Sequence, residues 1–486
     1  MRPAPLEETS PSEARDVVAG PESPPAKGLW TLVKEALHGT EMDLTRLPLR
    51  RAIFLLAVPM VLEMLMESVF AVVDVAFVGR LGAEAVATVG LTESILTIIY
   101  AAGMGLSIGA TAMVARRIGE KDSERAARTA VQAIGLGVML STVLAIAGIV
   151  FARPLLTALG GSPWVLEHGV GYTRVMMGGV VSILLLFLIN AIFRGAGDAA
   201  IAMRTLALAN GLNILLAPCL IFGLGPFPEM GVVGAAWATT IARSAGVLYQ
   251  LFRLAQANGR LQVRREHVSL EPGTMLAMVR LSGAGMVQAL VTTSSWVVLV
   301  RIVSSFGSTA LAGYTIAIRI VLFALLPAWG LGNAASTLLG QSMGAGDVAR
   351  GERAVWMAGR YNLIVLSTIG VVFFVFATPL MGVFTTDAAV VETGATALRI
   401  FSLSFVSCAY GMVLTSAFNG AGDTTTPTLI DLCCLWALEL PLAWVLAHPF
   451  GLGAVGAYIA VPVAFAAMSV SGIVLFRRGR WKTRVV

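Results

Sequence analysis

From about residue 52 onward the chain alternates between long apolar runs and short polar loops. The runs reach the ~20 residues that a helix needs to cross the hydrocarbon core of a bilayer. Twelve spans are expected, at about 52–78, 88–114, 128–152, 167–193, 201–224, 231–255, 276–304, 310–338, 356–378, 391–417, 427–448 and 454–476. The fold class is therefore all-α integral membrane. The loops test this reading independently. Basic residues crowd alternate loops, from Arg116 to Arg128, at Arg194 and Arg204, from Arg253 to Arg265, at Arg350 and Arg353, and from Arg477 to Arg484, whereas the intervening loops hold only Arg80 and Arg153. The positive-inside rule places both termini in the cytoplasm, as an even number of spans requires.

An internal repeat then fixes the architecture. Phe193-Arg194-Gly195-Ala196-Gly197-Asp198 recurs as Phe418-Asn419-Gly420-Ala421-Gly422-Asp423, an offset of 225 residues that also relates Gly82 to Gly307, Gly119 to Gly344, Asp122 to Asp347 and Arg125 to Arg350. Six spans return the chain to the side it left, so the copies form two parallel six-helix repeats about an axis along the membrane normal. The expected divisions are a disordered or interfacial segment 1–45, a first lobe 46–255, a polar basic linker 256–275, a second lobe 276–476 and a basic tail 477–486. Within the first of these, residues 1–27 read as a disordered cytoplasmic tail without a signal peptide, and Leu29, Trp30, Leu32, Val33 and Leu37 fall at the spacing of an interfacial helix. The two Gly-Ala-Gly-Asp turns lack the lysine of a phosphate-binding loop, so Asp198 and Asp423 are expected to cap the helices that follow.

Composition agrees with the pattern. Hydrophobic residues make up 57% of the 486 and charged residues 13%, far below the ~25% of soluble domains. The net charge of +6 resides in the topology-setting loops, so no nucleic-acid partner is expected. Four cysteines lie inside apolar runs without ligand spacing, and His38, His168, His267 and His448 are scattered. That leaves neither a disulfide frame nor a catalytic constellation, and no enzyme or cofactor is expected.

The chemistry concentrates in the first span. Glu63, Glu67 and Asp74 fall within roughly 40° of one another over about 16 Å of helix axis, a column of acids at membrane depth. Each ionised side chain there costs at least ~2.5 to 3.5 kcal/mol. Two readings follow: the column binds and releases a cation, or it pairs silently with arginines or hydroxyls on neighbouring helices. Glu93, at the depth of Asp74, and Asn190, Asn210 and Asn213 would supply further oxygens, suited to Na+ at Asp74 or to protons shared among coupled acids. Through the repeat the three acids become Gln288, Thr292 and Leu299, so the second lobe lacks this column. It carries Arg301, Arg319 and Arg399 instead, with Glu439 near mid-membrane. These arginines either reach the membrane surface or meet an anionic group of a substrate. Met64, Met66, Phe70, Met286, Trp296 and Trp329 suit an adaptable apolar cavity, or ordinary packing.

The run Asp74-Val75-Ala76-Phe77-Val78-Gly79-Arg80-Leu81-Gly82, with Pro59, Gly119, Gly195 to Asp198, Asn213, Pro218, Gly307, Gly340-Gln341, Gly344-Ala345-Gly346 and Pro441, resembles the multidrug and toxic compound extrusion (MATE) family over about residues 45–476. The resemblance implies a monomeric inner-membrane antiporter that exports amphipathic, often cationic compounds in exchange for H+ or Na+, with Asp74 as the family's first-helix acid. An exporter of anionic or lipid-linked substrates is the alternative. Two departures stand out. Ala217 replaces the acid that one branch has before Pro218, and the seventh span carries none of the acid that another branch has there. Coupling roles for Glu63, Glu67 and Glu93 are thus read from this sequence, and Asn190, Asn210, Asn213, Gln288, Arg301, Arg319, Arg399 and Glu439 are its candidate cavity residues.

Overall fold

The computed structural model describes residues 29–39, 43–256 and 259–484. Twelve long helices follow one another: α1 (Leu49–Gly79), α2 (Ala83–Gly119), α3 (Ser123–Ala158), α4 (Val165–Ala196), α5 (Ala199–Phe222), α6 (Gly231–Ala255), α7 (Pro272–Ser304), α8 (Ser308–Gly344), α9 (Val348–Val375), α10 (Ala388–Gly420), α11 (Thr425–Ala447) and α12 (Ala454–Arg477). Eleven are long and apolar enough to span a bilayer by composition alone. The exception is α6, whose middle carries Arg243. A preceding short helix, Leu29–His38, is amphipathic as expected and leaves Trp30 81% exposed. The expected tail over residues 1–27 lies outside the described residues.

The lobes meet through contacts that obey the repeat. A Cβ on Gly119 would stand 2.0 Å from the carbonyl oxygen of Gln341, and one on Gly344 would stand 2.1 Å from that of Arg116. Arg116 and Gln341 are themselves 225 residues apart, so the α2–α8 crossing is reciprocal. Nearer mid-helix, Gly105 abuts the backbone of Met286 on α7, and Gly330 abuts Val61 on α1, again a matched set. Only glycine permits backbones this close.

All these contacts lie toward the end of the bundle that carries both described chain ends, here termed the basic end. The hydrogen bonds between lobes sit there too: Thr337 Oγ1 donates to the Arg194 carbonyl at 3.1 Å and Gln341 Nε2 to the Gly195 carbonyl at 2.9 Å. Toward the other end, Gly82, Gly90 and Gly307 meet nothing, Val69 and Val72 of α1 are exposed, and α1 has no extensive contact with α7 among the described residues. The lobes are closed at the basic end and part away from it. Chain segments strap the closed end: Arg51 pairs with Glu35 at 2.5 Å, Arg350 donates to the Leu44 carbonyl at 2.9 Å, and the linker residue His267 meets Glu124 of α3 at 2.7 Å. The repeated glycine turns adopt left-handed conformations at Gly197 (φ 86°) and Gly422 (φ 83°). Asp423 accepts from the backbone N–H and the hydroxyl of Thr426, but stands one residue ahead of the cap position, which Thr424 takes. Asp198 takes the capping position without a side-chain cap bond and feels the charges of Arg260, Arg253 and Arg204 instead.

Candidate ion and substrate site

The acid column of α1 divides into two environments. Glu63 is 1% exposed and pairs with Arg194 Nη1 at 2.6 Å, while Asn190 Nδ2 donates to the same oxygen at 3.1 Å. Gln250 Nε2 in turn donates to Asn190 Oδ1 at 2.6 Å. This network is buried and ties α1, α4 and α6 together close to the carbonyls that bond α8.

Higher on α1 the surroundings open. Glu67, 28% exposed at its side chain, accepts from Arg243 Nη2 at 2.9 Å. The guanidinium is 4% exposed and lies 4.7 Å from the ring centroid of Phe70 and 5.7 Å from that of Phe187, which meets Tyr100 edge-on at 5.9 Å. The charges of Glu93 and Arg243 act on Asp74, and those of Arg243 and Glu67 act on Glu93. Glu93 is exposed and Asp74 half-buried, with Oδ1 lacking any hydrogen-bond partner among the described residues. One arginine is therefore paired with Glu67, faces the rings of Phe70 and Phe187, and carries the charge that acts on Asp74 and Glu93. Arg243 escaped the sequence reading: a charge within a span was its one signal, and spacing along the chain gives no sign of its partner Glu67 on α1.

The asparagines take supporting positions. Asn210 Nδ2 donates to the Met66 carbonyl at 2.7 Å, and Asn213, fully buried, donates to Thr239 at 3.1 Å, its Oδ1 without a partner among the described residues. In the second lobe Gln288 lies between Asn419, which donates to its Oε1 at 3.3 Å, and Asp431, which accepts from its Nε2 at 3.0 Å. Asp431 escaped the sequence reading because it sits close to a helix start. Glu439 is 3% exposed in a small pocket beside Trp296. Arg301, Arg319 and Arg399 are exposed and do not converge on that pocket, Arg399 donating to Thr378 at 3.2 Å. Trp329 is 42% exposed.

The profile of the MatE family matches residues 59–219 and 284–445, one block in each lobe. The chain belongs to the MatE family. Among its MatE relatives, the probable multidrug resistance protein NorM of Thermotoga maritima is 27% identical over 442 residues, covering 90% of this chain and 94% of that protein. The multidrug export protein MepA of Staphylococcus aureus is 23% identical over 444 residues, covering 89% and 95%. A solved structure of a multidrug resistance MATE family transporter in an outward-facing conformation superposes with a TM-score of 0.84 at 26% identity, over 90% of this chain and 98% of that one. The twelve-helix, two-lobed MATE architecture is thereby established.

Proposed function

We propose that this protein exports amphipathic, cationic organic compounds in exchange for H+ or Na+ bound in the first lobe, acting as a monomer whose basic end faces the cytoplasm. The imbalance around Arg243 carries the reading. With Asp74, Glu67 and Glu93 all ionised, one guanidinium leaves two negative charges in excess at membrane depth. Such an excess is costly to enclose in a low dielectric and favours any cation that can reach it.

Exchange follows from that cost. While the cleft is open to water the surplus charge is solvated; closing the lobes over it requires a cation to cancel it. A coupling ion arriving from outside and an organic cation arriving from the cytoplasm both satisfy the requirement, so the loaded forms cycle and the empty form does not. Arg243 holds Glu67 and limits the trap's depth, which lets the ion leave. The faces of Phe70, Phe187 and Tyr100 suit an aromatic or quaternary ammonium cation. The inward-moving ion supplies about 2.3 kcal/mol per charge per 100 mV, and a proton adds ~1.36 kcal/mol per pH unit. The relatives' names, multidrug resistance protein and multidrug export protein, support this substrate class. An anionic substrate fits poorly, because the charge around Arg243 has the wrong sign for it.

The test is efflux from inside-out vesicles under an imposed H+ or Na+ gradient. Asp74→Asn is expected to abolish gradient-driven transport while the protein inserts and purifies normally. Undiminished gradient-driven efflux in that variant would refute the assignment, and the gradient that drives the wild type identifies the ion.

A further inference from the structure

The second lobe holds two buried acids of its own, both on α11, and neither has a counter-ion among the described residues. Asp431 and Glu439 are each 3% exposed. Each keeps one carboxylate oxygen with no hydrogen-bond partner among the described residues. In the first lobe, by contrast, Glu63 pairs with Arg194 and Glu67 with Arg243, whose charge also acts on Asp74 and Glu93.

Glu439 points into a small pocket with room for a water or two, enclosed by Trp296, Leu299, Tyr314, Phe401 and Phe405. The groups that face it can be taken helix by helix. On α7 the Ser295 hydroxyl lies close enough to act on it but makes no bond of full geometry. On α8 stands Tyr314, stacked 6.1 Å from Tyr458 of α12, and on α10 stand Ser404 and Cys408. Among the described residues no Lys, Arg or His lines the pocket. Asp431, eight residues back along α11, accepts side-chain hydrogen bonds among the described residues only from Gln288 and Thr292, and Asn419 donates to Gln288 in turn.

An ionised carboxylate in either place would stand alone at a cost of several kcal/mol. A proton cancels the charge using one oxygen. A hard metal cation prefers about six oxygen ligands, and the pocket has the Glu439 carboxylate and a few hydroxyls to offer. The helix is itself unusual here. Between the two acids α11 widens into a π-helix, Leu432–Glu439, and Pro441 follows without an N–H to restore the regular ladder. The corresponding helix of the first lobe, α5, is α-helical over its whole length. Such π segments recur at functional sites.

We propose that Glu439 is a proton-binding site of the second lobe, independent of the carboxylates around Arg243, which loads and unloads a proton as the transporter cycles. A proton from water binds the free Glu439 oxygen, and the same proton returns to water.

Trp296 lines the pocket and reports on it. The full-length protein in lipid nanodiscs would be titrated while tryptophan emission is recorded, with Trp296→Phe identifying this residue's share of the signal. The expected result is a pH-dependent Trp296 component that Glu439→Gln eliminates, that Glu439→Asp retains at a shifted midpoint, and that Asp74→Asn leaves in place. No Trp296 component in the wild type, or its survival in Glu439→Gln, would overturn the proposal; so would its loss in Asp74→Asn, which would return the signal to the first lobe. The titration does not depend on which ion drives export, so it can fail while the proposed function stands, and the reverse. In vesicles, Glu439→Gln is expected to lower the number of protons moved per substrate, and an unchanged number would equally overturn the proposal.

Discussion

Replacing Arg194 with Asn should destabilise the protein by about 3 to 5 kcal/mol, the cost of leaving one member of a buried pair uncompensated. Glu63 is only 1% exposed, and with Arg194 gone its carboxylate would keep a single donor, Asn190, at 3.1 Å. The second lobe shows how the same place is held without charge. Glu63 and Arg194 map through the repeat onto Gln288 and Asn419, which make an amide hydrogen bond at 3.3 Å. The double variant Glu63→Gln/Arg194→Asn therefore installs a pair that this fold already uses, and a neutral bond of that kind contributes about 0.5 to 1.5 kcal/mol. Its stability should return to within roughly 1 to 2 kcal/mol of the wild type, giving a coupling energy of at least about 2 kcal/mol between the sites. Unfolding of the four proteins in mixed detergent micelles completes the cycle. Strict additivity would refute the reasoning, because it would mean that the two side chains do not compensate each other. Transport by the double variant adds a second reading. Retained gradient-driven efflux would make Glu63 a structural tie at the closed end, and loss of efflux despite restored stability would make it a relay for the coupling ion.

Two further outcomes follow from the geometry. Gly344→Ala and Gly119→Ala place a methyl group about 2 Å from a backbone carbonyl of the opposite lobe, so each should force the basic end apart, raising thiol labelling of cysteines introduced there; unchanged labelling would exclude this crossing as the closed gate. Burial holds the Asp198 carboxyl above the ordinary aspartate range, against the pull of Arg260, Arg253 and Arg204. The folded state then takes up that proton at a higher pH than the unfolded chain, so this group's contribution makes the fold more stable as pH falls through the interval between the two values and less stable above it. Asp198→Asn should flatten that part of the pH–stability profile, and an unaltered profile would contradict the assignment.

The periodic apolar runs and the repeat were legible because both are properties of the chain itself. Gly119 and Gly344 could be matched by counting, and the structure gives their equivalence a physical cause in the reciprocal α2–α8 crossing. Arg243 and Asp431 were not legible as site residues. Arg243 is defined by Glu67, a residue 176 positions away, and Asp431 by Gln288, 143 positions away. Hydropathy read along one helix is blind to partners across the bundle. The column on α1 illustrates the same limit: its three acids share a face, as counting said, yet Glu63 is enclosed with Arg194 while Glu93 is exposed. The widened turn in α11 left no mark in the hydrophobic pattern beyond Pro441.

The way the two lobes differ suggests that buried charges have been exchanged in pairs. Glu63 and Arg194 both become amides, Gln288 and Asn419. In the last helix of each lobe the register shortens to 222, where Val233-Gly234-Ala235 matches Val455-Gly456-Ala457, and there Gly234 packs on Leu220 and Gly456 on Leu446. By that register Arg243 corresponds to Phe465, and its partner Glu67 corresponds to Thr292. Neither member of either pair survives alone, as expected if a stranded charge is the most costly state available to this interior. The packing glycines, by contrast, are kept in both copies, because a two-fold crossing needs both halves. With Asn419 and Phe465 at the places of Arg194 and Arg243, the second lobe has no buried arginine beside its acids among the described residues. Phe465 now lines the pocket into which Glu439 points. A carboxylate in that setting has only water and protons to answer its charge, which is why the two lobes should respond to acid through different groups and can be separated by substitution.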